Sequence, residues 1–214
     1  MTGIQWDARV SREVNMTIMQ NRTMLKRLQR LRQGSTDDIR NIISLCEAEP
    51  GLQTAANMVR VIANTGVRNG EFAKLRIADI DPSGTWLTIH RHRSGSVRSR
   101  VIPIRQKTHT ALLALHQLNP DSEFVLGDTP RTRFDCMIRK LILVAPEFGR
   151  TRQRTYSIRK NFEYRLMSAG IPAGVVKYLL GCESLTTSIQ QLTLTPEERM
   201  QIVQRTLERF IEEL

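Results

Sequence analysis

No stretch of this 214-residue chain carries the about 18 consecutive apolar residues of a membrane-crossing helix, so no segment is expected to span a membrane. The N-terminus lacks an apolar run ahead of a small-residue cleavage site, and no signal peptide is expected. Only three cysteines are present, Cys46, Cys136 and Cys182. They are scattered, odd in number and without metal-ligand spacing, which argues against a disulfide framework or a zinc site and for a reducing, cytoplasmic setting. No internal repeat or low-complexity tract occurs. Two long stretches, 16–34 and 88–110, contain no acidic residue at all.

What is present is positive charge. The formal net charge is +11, which favours a polyanionic partner, nucleic acid ahead of a membrane surface. The charge is clustered. Lys26, Arg27 and Arg30 lie in the first acid-free stretch, Arg91, Arg93, Arg98 and Arg100 in the second, and Arg152, Arg154 and Lys160 in a third basic run. These residues are the expected contacts to duplex DNA. The last segment is instead acidic, with Glu197, Glu198, Glu208, Glu212 and Glu213. If DNA-bound, the protein is expected to be nucleoid-associated.

Apolar residues recur at helical spacing over about 8–32, 36–48, 52–65, 107–118, 131–144, 155–169, 172–180 and 195–212, with a short helix from Asn69 to Leu75. Between the early and late helices the period changes to two. TWLTIHRHR and VRSRVIPI, joined by a Ser-Gly-Ser turn, predict a β-hairpin over about 85–104. The expected fold is mainly α with a small antiparallel β-sheet. Gly34-Ser35 is the expected boundary between a basic N-terminal helical arm, 1–34, and one domain over 35–214.

Two short stretches carry candidate chemistry. In Thr65-Gly66-Val67-Arg68-Asn69-Gly70-Glu71, a glycine ends one helix and Arg68 opens the next, with Glu71 near enough to orient it. A guanidinium fixed there suits bidentate phosphate recognition, although an ordinary helix-terminal ion pair fits the pattern equally well. In Thr155-Tyr156-Ser157-Ile158-Arg159, a phenol and a guanidinium share a face at a helix N-terminus, another setting for an anion.

The order of these pieces is more specific than any one of them. TGVRNGEFAKLRIADID, a β-hairpin ending RSRVIPI, and then TYSIRKNFEYRLMSAGIPAGVVKYLLGCESLTTSIQQLTLTPEE resemble the catalytic domain of the tyrosine recombinases, the phage integrase family. The resemblance covers about 35–214 and implies that family's fold. In the family a tyrosine attacks a DNA phosphodiester, two arginines hold the phosphate oxygens, and a hairpin lysine protonates the leaving oxygen, with no metal or cofactor. Arg68 and Arg159 match the two arginines, and Glu71 the supporting acid.

The resemblance also exposes departures. Residues 85–104 contain no lysine, and Arg93, or else Arg91, is the nearest substitute. Tyr156 and Cys182 stand where the family usually has His, and His or Trp. LLGCESLTTSIQQLTLTPEE lies without a gap on the family pattern that carries the nucleophile, and the tyrosine position is Gln191. An amide is no nucleophile toward phosphate, and Ser188 and Thr193 have no nearby base in the sequence. The expectation is a DNA-binding family member that is catalytically inactive and acts as an accessory or regulatory binder. The remnant pocket is Arg68, Arg93, Tyr156, Arg159, Cys182 and Gln191. The alternatives are an active recombinase with an atypical nucleophile, and a module that docks on a true recombinase or on itself through the C-terminal helix, whose apolar face is Leu207, Phe210, Ile211 and Leu214.

Overall fold

A computed structural model describes residues 35–93, 96–144, 154–171 and 173–182, together with positions 198, 201, 203–205, 207–208 and 213–214. The expected helix over 8–32 and the arm 1–34 lie outside the described residues.

Helix α1, Thr36–Ala48, starts at a capping box. Asp38 N donates to Ser35 Oγ (3.2 Å) and Ser35 N donates to Asp38 Oδ2 (2.9 Å). Asp37 and Asp38 also place negative charge at the positive end of the helix. Its buried residues, Ile39, Ile42, Ile43 and Cys46, form one stripe. Helix α2, Gln53–Thr65, is buried on nearly every side and packs against α1 and three later helices, so it forms the centre of the domain.

Helix α3, Asn69–Phe72, is shorter than the spacing predicts. After Phe72 the chain tightens, with Lys74 N donating to Glu71 O and Leu75 N to Phe72 O, and Leu75 O then accepts from Val125 N at 2.8 Å. That pairing pulls 73–75 out of the helix. A 3₁₀ turn at Ile77–Asp79 leads to the hairpin, β1 Trp86–Arg93 and β2 Ser96–Pro103, whose register runs from Trp86↔Pro103 to Arg93↔Ser96. Leu87, Ile89 and Ile102 face the core from its base.

Helices α4 (Gln106–His116), α5 (Pro130–Val144), α6 (Arg154–Ser168) and α7 (Ala173–Leu179) follow. Helices α4, α5 and α6 pack on α2, while α7 lies against α6 and β2. The architecture is the mainly helical one with a small antiparallel sheet.

Several described positions of the C-terminal segment pack on this same chain. Val203, Leu207 and Leu214 are buried. Glu213 Oε1 accepts from Thr108 N (2.7 Å) and Thr108 Oγ1 (2.8 Å), capping the start of α4, which has no side-chain cap of its own. Asn64 Nδ2 and Arg60 Nε donate to Leu214 O at 2.9 and 3.1 Å. Phe210 and Ile211 lie outside the described residues.

Candidate phosphate-binding cleft

The site grows from the α2–α3 junction. Helix α2 ends at Gly66 in the left-handed region (φ 62°), where a Cβ would sit 2.6 Å from Phe162 and 2.9 Å from Leu180. Glycine therefore lets α2, α6 and the end of α7 meet at one point. Two residues on, Arg68 leaves the helix axis in an extended conformation.

Glu71 gathers the charges. Its Oε1 accepts from Arg68 Nη1 (2.9 Å) and Arg100 Nη1 (3.0 Å), and its Oε2 accepts from Arg68 N (2.9 Å) and Arg100 Nη2 (2.8 Å). Four donors fill the about four acceptor sites of a carboxylate. Burial pushes the Glu71 pKa up, but the hydrogen bonds and charge of Arg100, followed by those of Arg68, outweigh it and bring the pKa down to about 2.

The end of α7 supplies the other half of the frame. Gly181 (φ 62°) closes the helix as a Schellman motif, with Cys182 N donating to Lys177 O (3.0 Å) and Gly181 N to Tyr178 O (2.8 Å). Three consecutive carbonyls beyond the last helical bonds each receive one guanidinium. Arg100 Nε donates to Leu179 O (2.8 Å), Arg159 Nη2 to Leu180 O, and Arg68 Nη2 to Gly181 O (3.1 Å). Arg159 Nη1 also donates to Gly66 O, which ties α6 to the end of α2. Orphan carbonyls at a helix C-terminus are satisfied here by side chains that bring positive charge to the negative end of the helix.

Above this frame lies an open cleft of about 400 Å³ whose lining includes Arg68, Tyr156, Arg159, Lys160 and Cys182. Arg159 is only 8 % exposed and forms its floor. Burial, and then the charge of Arg68, lowers its pKa to about 10. Arg68 is 34 % exposed and Tyr156 47 % exposed at the rim. Lys160 Nζ lies 5.6 Å from the centre of the Tyr156 ring and donates to Glu163 Oε2 at 2.7 Å. The Glu163 bond raises its pKa.

Arg68, Tyr156, Arg159 and Cys182, singled out from far-apart stretches of sequence, therefore come together. Arg91 pairs in register with Arg98, and Arg93 with Ser96, toward the hairpin tip, while their side chains lie outside the described residues. Arg154 opens α6, and Gln191, Ser188, Thr193, Lys26, Arg27, Arg30 and Arg152 lie outside the described residues.

Arg100 requires a correction. As an expected DNA contact it should be exposed, but it is 5 % exposed and faces inward, locked on Glu71 and Leu179. The signal was available: residue 100 alternates with Ile102 and Ile104, both buried, and so belongs to the core face of β2. A charge on that face needs a buried partner of opposite sign. Glu71 is that partner.

The profile of the phage integrase family matches residues 32–194, a span that includes position 191. The chain belongs to the phage integrase family. It is 26% identical over 153 residues to the tyrosine recombinase XerA of Pyrococcus furiosus, a match covering 69% of this chain and 53% of that protein. The chain thus spans about half the length of this curated relative. Among solved structures, it superposes on the crystal structure of XerA recombinase with a TM-score of 0.56 at 22% identity, covering 82% of this chain and 64% of that one. It also superposes on the Tn1549 transposon integrase in complex with circular intermediate DNA, with a TM-score of 0.56 at 14% identity, over 78% of this chain and 62% of that one.

Proposed function

We propose that the protein binds duplex DNA through phosphates at the arginine cleft and neighbouring basic segments, neither cuts nor rejoins it, and serves as an accessory or regulatory binder. One observation carries the reading. The frame that orients Arg68 and Arg159 is complete, while the position that should hold the nucleophile is Gln191 and the hairpin has no lysine. Arginine holds its proton too firmly to protonate a leaving oxygen well, so Arg93 can bind phosphate without replacing that acid. All three tyrosines, Tyr156, Tyr164 and Tyr178, precede the segment that carries the nucleophile in the family. The Tn1549 integrase of the same fold was solved on DNA, which supports the choice of ligand. The basic arm 1–34 and the domain 35–214 act together in this reading, the arm adding phosphate contacts.

Binding of a labelled duplex, measured from about 50 to 200 mM salt, tests it, because each neutralised phosphate releases counterions. A steep loss of affinity is expected, and Arg68→Gln should weaken binding at every salt concentration. Absence of binding at low salt, or a flat response, overturns the reading in favour of a protein partner.

A further inference from the structure

We propose that the cleft recognises the terminal phosphate monoester of a DNA end in preference to an internal phosphodiester, an inference that rests on the DNA-binding reading above. The argument is one of charge held in fixed geometry. Arg100 grips both oxygens of Glu71, at 3.0 and 2.8 Å, and is itself buried, so this pair is neutral and closed off beneath the cleft. Lys160 and Glu163 form a second neutral pair at the rim, 2.7 Å apart.

Arg68 and Arg159 are left. Both are held by carbonyl oxygens, which orient a guanidinium without neutralising it, and Arg68 reaches only a carboxylate already matched by Arg100. The groups around them are Glu71 from α3, Arg100 from β2, Tyr156, Lys160 and Glu163 from α6, and Cys182 after α7. Among the described residues, these leave two positive charges uncompensated at the cleft. Burial first, and then the charge of Arg68, lowers the Arg159 pKa.

Two fixed positive charges complement a dianion. An internal phosphodiester carries one negative charge. In an active recombinase, attack of the nucleophile raises the charge on the phosphate, but position 191 offers only an amide. A phosphate monoester instead carries about −1.5 to −2 in its ground state at neutral pH, with a second ionisation near about pH 6. It also presents three unesterified oxygens to a pair of forked donors. The cleft, about 400 Å³, has room for a nucleotide-sized group. A strand end, frayed or at a nick, fits that shape.

The test uses the full chain and one duplex sequence in four forms: 5′-phosphate ends, 3′-phosphate ends, hydroxyl ends, and hairpin-capped without ends. Affinities are compared at about pH 7.5 and about pH 5.5, on either side of the second phosphate ionisation. One phosphate-ended form should bind about tenfold tighter than the hydroxyl-ended and capped forms, the effect of one added charge-assisted hydrogen bond. The two phosphate arms report which end is taken. The ratio should fall toward one at the lower pH as the monoester gains a proton. Arg68→Gln, and Cys182→Asp, which sets a carboxylate at an exposed position in the cleft, should each abolish the ratio. Arg159 is left intact, because its removal frees two buried carbonyls and threatens the fold. Equal binding of all four forms overturns the inference and leaves the DNA-binding reading standing. A ratio that survives both substitutions places the recognition elsewhere and also overturns it. Failure to bind any form overturns the reading on which it rests.

Discussion

The arginine cleft and the outer hairpin are held in different ways. On the side built from the α2–α3 junction, α6 and α7, each guanidinium is bonded to main chain as well as facing charge: Arg68 to Gly181 O, Arg100 to Leu179 O, and Arg159 to Gly66 O and Leu180 O. On the hairpin, positions 91 and 93 lie toward the tip from the buried pair Ile89↔Arg100. In the proposed reading Arg68 and Arg159 serve folding and anion binding together, so substituting one costs stability. A hairpin lysine or a nucleophilic tyrosine serves the chemistry alone. In the proposed reading, catalysis is lost at those positions while the arginine frame, and with it the affinity for phosphate, persists.

The comparison breaks most readily at Glu71. Glu71→Gln leaves Arg100 buried without its counter-charge, and removing one partner of a buried pair costs about 3–5 kcal/mol. Urea unfolding should show that loss. A change below about 1 kcal/mol, the usual value of an exposed pair, would mean that the triad does not hold the fold.

Gly181→Ala comes next. A Cβ there would lie 2.6 Å from Arg100 Nη1 and 3.2 Å from Arg68 Nη1, in a left-handed backbone, where a non-glycine residue costs about 1–3 kcal/mol. The substitution should lower the melting temperature and weaken DNA binding together, because it moves the guanidiniums. Loss of one without the other would separate the two roles joined above.

A smaller effect follows from acidity. The folded Glu71 pKa, about 2, lies below its ordinary value of 4.5. Its contribution to stability is thus fully present above about pH 4.5 and is lost as pH falls through about 2. The stability gap between wild type and Glu71→Gln should shrink over that window, as unfolding at a series of pH values would show. The smallest effect is expected at exposed Cys182, where Cys182→Ala should change stability by no more than about 0.5 kcal/mol.

Much of this was legible before any coordinates. The period change at 85–104 marked the hairpin, and the apolar spacing over 36–48 marked α1. Motif order brought Arg68 and Arg159 to one cleft. Arg100 sits among basic neighbours that suggest a surface charge run, whereas strand alternation assigns it to the core face. The clasp of Glu213 and Leu214 on α4 and α2 was not legible in detail, since it joins residues more than 100 positions apart and leaves no local pattern. The convergence of three guanidiniums on three successive carbonyls was equally hidden, because it arises only when α7 ends against β2 and α6.

The central claim, that phosphate is held and not cut, is tested most directly on nicked suicide substrates, which trap a covalent protein–DNA intermediate on denaturing gels. At protein concentrations that saturate binding, the wild-type chain should give no adduct, and Gln191→Tyr alone little, because the hairpin still lacks the lysine, and loss of a general acid typically costs about 10²–10⁴-fold. Gln191→Tyr combined with Arg93→Lys is the variant expected to give one. An adduct formed by the wild-type protein would contradict the account and redirect attention to Ser188 and Thr193.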